Sequence, residues 1–82
     1  DEEGQIIRTE AIKALGTVGG PEVAAFLGGV AGDSSREVYD RREATKALGV
    51  IGGDEASAYL RDLADDADEY VARFAAEALA AG

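Results

Sequence analysis

Residues Ala11 to Leu27 read AIKALGTVGGPEVAAFL, and residues Ala44 to Leu60 read ATKALGVIGGDEASAYL. Ten of the 17 aligned positions are identical, against about one expected from ordinary residue usage. The offset is 33 (48 − 15, from the shared leucines). A weaker third copy of the first half, Ala75-Ala76-Glu77-Ala78-Leu79, follows the second at an offset of 31. A period of this length means one supersecondary unit stacked on its own copies, since a single unit cannot bury its apolar face alone. Units near 5–33, 34–66 and 67–82 divide the chain, read as one repeat domain or as a segment of a longer stack.

Each unit reads as helix, tight turn, helix. In the first helix Ile7, Ala11, Ala14, Leu15 and Val18 recur at the spacing of one helical face. Gly19-Gly20 and Gly52-Gly53 stop the first helix of each pair, because glycine adopts left-handed backbone without a steric penalty. Gly16 and Gly49, one turn earlier, are candidates for close helix contact. Pro21 with Glu22, and Asp54 with Glu55, suit the first turn of the following helix. That second helix presents Val23, Phe26, Leu27, Val30 and Ala31, matched by Ala56, Tyr59, Leu60, Leu63 and Ala64. Ser34-Ser35-Arg36-Glu37 has the form of a capping box, and Asp68 suits an N-cap. The expectation is an all-α superhelix, a short solenoid of five helices in A-B-A-B-A order, near 5–18, 21–31, 35–51, 54–64 and 69–81. One position conflicts. Asp40 stands where Ile7 and Val71 stand in the other units, and two extra residues precede it. A shifted helix start, with Val38 or Tyr39 supplying the apolar contact, would resolve this; an unshifted start would bury Asp40.

The run Ile7 to Glu22, IRTEAIKALGTVGGPE, resembles HEAT-like repeats of the phycobilisome-lyase type, whose pattern is V-R-x-x-A-A-x-A-L-G-x-I-G-D-P-E. Arg8 and Arg41 match its arginine, and Gly20 and Gly53 stand where it has Asp. The resemblance implies a compact α-solenoid and a role in protein–protein interaction or scaffolding. It also admits a second role, as an accessory subunit of a bilin (tetrapyrrole) lyase.

Chemistry is narrowed by what is missing. The chain has no histidine and no cysteine, so the commonest general base, the commonest metal ligand and thiolate chemistry are absent. No catalytic residue, metal site or cofactor is assigned. Asp65-Asp66-Ala67-Asp68-Glu69 lacks the glycine and distal Glu of a calcium loop and reads as a solvated acidic loop capping the last helix. Gly16-Thr17-Val18-Gly19-Gly20 follows a helix rather than a strand and has no Lys-Ser/Thr, so it reads as a turn. Arg36, Arg41 and Arg42, the one basic cluster, read as pairing with Asp40, Glu37 and nearby loop acids.

Seventeen acids against eight bases give a net charge of −9. Such a field repels phosphate backbones, which argues against nucleic acid. The acids are spread along the chain, as adaptation to high salt (a halophilic source) would produce; a basic protein or peptide partner is the other reading. No stretch approaches the ~20 apolar residues of a membrane span, no basic segment followed by an apolar one marks a signal peptide within these residues, and a cytoplasmic protein is expected. The chain has no methionine, including at position 1, as a processed or trimmed chain would show, so neighbouring repeats or domains are expected. In stacked helix pairs the second helices line the inner, partner-holding face. The positions there that turn from the core are Glu22, Ala25, Gly29, Glu55, Ala58 and Asp62, an acidic, small-sided strip suited to a basic partner.

Overall fold

A computed structural model describes residues 2–82. Five helices follow in order: α1 (Glu2–Val18), α2 (Pro21–Gly32), α3 (Val38–Ile51), α4 (Gly53–Leu63) and α5 (Glu69–Ala81). The described residues contain no strand. α1, α3 and α5 form one row and α2 and α4 the other, in the alternating order that the repeat predicts, each helix pair making one layer of the stack. The body measures 34 × 28 × 18 Å.

The turns inside each pair are as tight as the glycines allow. Gly19, Gly20, Gly52 and Gly53 have φ of 73°, 94°, 66° and 83°, a region that costs a residue with a Cβ roughly 1–2 kcal/mol. Gly20 and Gly52 serve as the N-caps of α2 and α4 with no side chain to cap them. Asp68 caps α5 as expected, accepting from the Val71 N–H at 2.9 Å.

The start of α3 departs from the expected capping box. Glu37, not Ser34, is the N-cap, and its own carboxylate accepts from the Tyr39 N–H at 3.2 Å. Ser34 to Arg36 form a turn instead, in which Asp33 Oδ1 accepts from the Ser35 N–H (3.0 Å) and the Ser35 hydroxyl (2.6 Å). Those hydrogen bonds hold the Asp33 carboxyl below its ordinary value, the hydroxyl contact being the larger cause. The two extra residues are thereby absorbed in the connection. α3 keeps its register, so Asp40 is buried and the expected shift does not occur. Tyr39 is exposed and Val38 half-buried. Arg8 of the preceding unit neutralises Asp40, its Nε donating to Oδ2 at 2.9 Å. Asp40 Oδ1 is buried without a partner among the described residues.

The core runs between the two rows through Leu27, Val30, Ala31, Ala44, Leu48, Ala56, Leu60, Leu63, Val71 and Ala75. The repeat leucine is fully buried as Leu48, while Leu15 and Leu79 pack half-buried against the core edge. Two expected core faces are corrected. On α1 the buried residues are Ile12 and Gly16, and Ile7, Ala11, Ala14 and Val18 lie exposed. On α2 Phe26 is exposed, whereas Ala24, unassigned from sequence, is buried. The cause is positional: those side chains point away from α3 and α4, toward the side on which no described helix lies. Fit between units is set by glycine. A methyl on Gly16 would come within 3.0 Å of Ala47 Cβ, and one on Gly49 within 2.9 Å of Ala78 Cβ. Gly28 is closer still, its backbone lying under the ring of Tyr59.

Buried and half-buried ion pairs tie successive units. Arg41 donates through Nε to the Ala31 carbonyl at 2.9 Å and through Nη2 to Asp66. Arg42 grips Asp68 with two bonds, 3.0 and 2.8 Å. Bidentate pairs of this kind add orientation to attraction. The Arg42 bond is the main reason that the Asp68 carboxyl is held down to about 2, with the Val71 N–H adding to it; the same bond raises Arg42. Arginine pairing therefore reaches loop acids as expected, with Arg36 near Asp33 (3.7 Å), but Asp40 pairs with Arg8 rather than within the cluster. Asp66 and Asp68 are thus committed to structure rather than solvated.

Candidate functional site

All six positions singled out on the second helices are exposed: Glu22, Ala25 and Gly29 on α2, Glu55, Ala58 and Asp62 on α4. Their placement follows from the helical period. The buried side of α2 uses Ala24, Leu27, Gly28, Val30 and Ala31, and that of α4 uses Ala56, Leu60 and Leu63. What lies between those positions in the 3.6-residue cycle must face out. α2 and α4 pack side by side at Gly28 and Tyr59, and residues 33 apart hold equivalent rungs of the repeat: Glu22 and Glu55, Ala25 and Ala58, Gly29 and Asp62.

The surface so formed has three carboxylates and three positions with little or no side chain. Glu22 and Glu55 sit in the first turns of their helices, where the dipole favours negative charge. The small residues between them, Ala25, Gly29 and Ala58, are exposed and add no bulk to this surface. Phe26, one turn from Glu22 on the same helix, stands exposed at its margin. Sequence reasoning missed this residue because its counterpart Tyr59 is packed and the two looked equivalent.

A second surface feature was also missed. Arg42 lies over the rings of Tyr39 (5.3 Å) and Tyr70 (4.4 Å), and Arg73 over Tyr70 at 4.7 Å. Lys46 lies 5.6 Å from the centre of Phe74. The signal was present in the sequence, as Tyr39/Tyr70 and Arg42/Arg73 both recur at the offset of 31. Since Arg42 already holds Asp68, the ladder acts first as packing between α3 and α5.

A groove of about 800 Å³, open to solvent, runs along α3, α4 and α5 past Lys46, Val50, Leu60, Phe74, Glu77 and Leu79. Among the described residues no helix is long and apolar enough to cross a membrane, and no group of three or more acids is placed to hold a metal ion.

Paired helices stacked in register around a shared seam, with glycine crossings between layers, define an α-solenoid. A family model for HEAT repeats matches residues 1–80, and the chain belongs to that family. No curated protein and no solved structure matches it. HEAT repeats commonly serve in protein interaction and scaffolding.

Proposed function

We propose that this chain is a protein-binding module that holds a basic peptide or helix along the acidic strip of α2 and α4, and that it acts by binding rather than catalysis. The observation that carries the reading is that Glu22, Glu55 and Asp62 are exposed at outward positions of the paired helices α2 and α4, with the exposed small residues Ala25, Ala58 and Gly29 between them in the helical cycle. A cationic segment lying across the two helices meets the Glu22 and Glu55 carboxylates at one end and Asp62 at the other, with only Ala25, Ala58 and Gly29 between them. Charge of this kind raises the association rate and selects the sign of the partner more than it sets affinity. The remaining acids, spread over the chain, support adaptation to high salt, and the same charge disfavours nucleic acid.

The experiment is a fluorescence-anisotropy titration with a lysine- and arginine-rich helical peptide at low and high salt. Binding that weakens with salt and falls at least about tenfold in the triple variant Glu22→Gln, Glu55→Gln, Asp62→Asn supports the reading. Equal binding by the triple variant removes it.

A second reading, as accessory subunit of a bilin lyase of the phycobilisome-lyase HEAT-like type, draws on the open groove. Val50, Phe74 and Leu79 offer apolar surface there, and Lys46 offers a cation for a propionate. Asp54 and Glu77 line the same groove and oppose an anionic ligand. Titration with a bilin, followed by visible absorption, separates the readings; an unshifted spectrum eliminates this one.

A further inference from the structure

The repeats act as internal controls for one another, and one flank fails to match them. The position of Ile7 on α1 is that of Asp40 on α3 and Val71 on α5. Ile7 is 65% exposed, Asp40 5% and Val71 0%. Ala11 is exposed, whereas Ala44 and Ala75 are fully buried. Ala14 is exposed; its counterparts Ala47 and Ala78 lie against Gly16 and Gly49 of the layer before. On the second helices Phe26 is 54% exposed, whereas its counterpart Tyr59 has its ring on Gly28 of the layer before. Positions that point within a unit behave differently: Leu27 and Leu60 are both buried, as are Val30 and Leu63. Where the later units' contacts are visible, at Asp40, Ala47, Tyr59 and Ala78, the side chain that differs meets the preceding layer.

What covers such a column is visible twice in the structure. Each time it is a helix of the same repeat, crossing with a glycine at the alanine; between the second helices a glycine also lies under the aromatic ring. We infer that the flank formed by Ile7, Ala11, Ala14 and Phe26 is a docking face for one further helical hairpin of this repeat type, carrying glycine where its helices cross Ala14 and Phe26. The occupant's chemistry follows from distance. With a crossing as close as that of Gly16 on Ala47, any side chain beyond hydrogen would push the layers apart. A second copy of this chain stacked head to tail meets that requirement poorly, because α5 has Ala80 at the position of Gly16 and Gly49. Ile7, Ala11 and Ala14 lie on α1, away from the acidic strip that Phe26 borders, so a change at Ala14 reads layer docking separately from peptide binding.

The test is a chain in which residues 1–37 precede residues 5–82, which repeats the first layer at the spacing of 33 with the turn that joins α2 to α3. Docking predicts one cooperative thermal transition with Tm raised by about 5–10 °C and a larger urea m-value. A separate, earlier transition for the added layer, with the original Tm unchanged, overturns the inference. Gly16→Leu with Gly28→Leu in the added copy alone is expected to abolish the gain; a retained gain overturns the glycine requirement. Ala14→Arg in the 82-residue chain tests the face without the added layer. Its Tm is expected to stay within about 2 °C, as for an exposed site, and the same substitution in the receiving layer of the longer chain removes the gain. Sedimentation of the unmodified chain is expected to give a monomer. A dimer that Ala14→Arg dissociates would assign the face to a second copy instead.

Discussion

Gly28 and Gly29 are adjacent glycines in the middle of α2 with opposite expected responses to the same substitution. A Cβ on Gly28 would lie 2.4 Å from Cδ1 and 2.6 Å from Cγ of Tyr59. Those atoms are near the root of the ring, so a tip rotation cannot relieve the overlap; α2 and α4 must separate or the ring must leave its site. Overpacking of this sort costs about 1–3 kcal/mol, partly offset by about 0.5–1 kcal/mol from replacing a mid-helix glycine with alanine. The net for Gly28→Ala is a loss of up to about 2.5 kcal/mol with a central value of about 1 kcal/mol, or roughly 4–8 °C in Tm for a domain of this size. Gly29 meets nothing within 4 Å, so Gly29→Ala keeps only the helix gain and is expected to raise Tm by about 3–5 °C. Thermal melts by circular dichroism at 222 nm measure both. Gly28→Ala combined with Tyr59→Ala should lose less than the sum of the two single changes, since each removes the cause of the other's cost. A Gly28→Ala variant as stable as the parent would refute the stated packing of Tyr59 and, with it, the glycine-crossing account of how layers fit.

Other perturbations probe the ties between units. Arg41→Ala strands Asp66 and the Ala31 carbonyl, and is expected to cost about 3 kcal/mol, seen as a lower urea midpoint; a change within error would mean that the pair is dispensable. Arg8→Ala should destabilise by about 1–3 kcal/mol because both Asp40 oxygens would then lack partners, whereas Asp40→Val, the residue type of the third unit, should match or exceed the parent in stability. Asp68 has its folded pKa depressed to about 2 from 3.8. The stability it contributes is therefore fully present above about pH 4 and lost as pH falls through 2. The Tm gap between the parent and Asp68→Asn, which keeps an N-cap, should close over that window; a gap that stays constant down to pH 2 would sink the assignment. Molar KCl should raise Tm by screening repulsion in a chain of net charge −9, and a fall would show that its ion pairs matter more than its excess charge.

What could be read from the sequence alone was whatever a helix and a turn decide locally. Period, glycine stops, the Asp68 cap and the outward set Glu22, Ala25, Gly29, Glu55, Ala58 and Asp62 all follow from 3.6-residue geometry and backbone sterics. These need no knowledge of neighbours, and the first two repeat in both full units. Tertiary structure decided what depends on distance between units. Asp40 is tolerated inside because Arg8, 32 residues earlier, reaches it. The serine box gave way to Glu37 because the extra residues could be taken up in the turn while α3 kept its register. Ile7, Ala14 and Phe26 carry the pattern of a core and yet are exposed, since periodicity records which face a helix would bury but not whether a neighbour is there to cover it. Burial belongs to pairs of layers, and a residue's own helix supplies only one member of the pair.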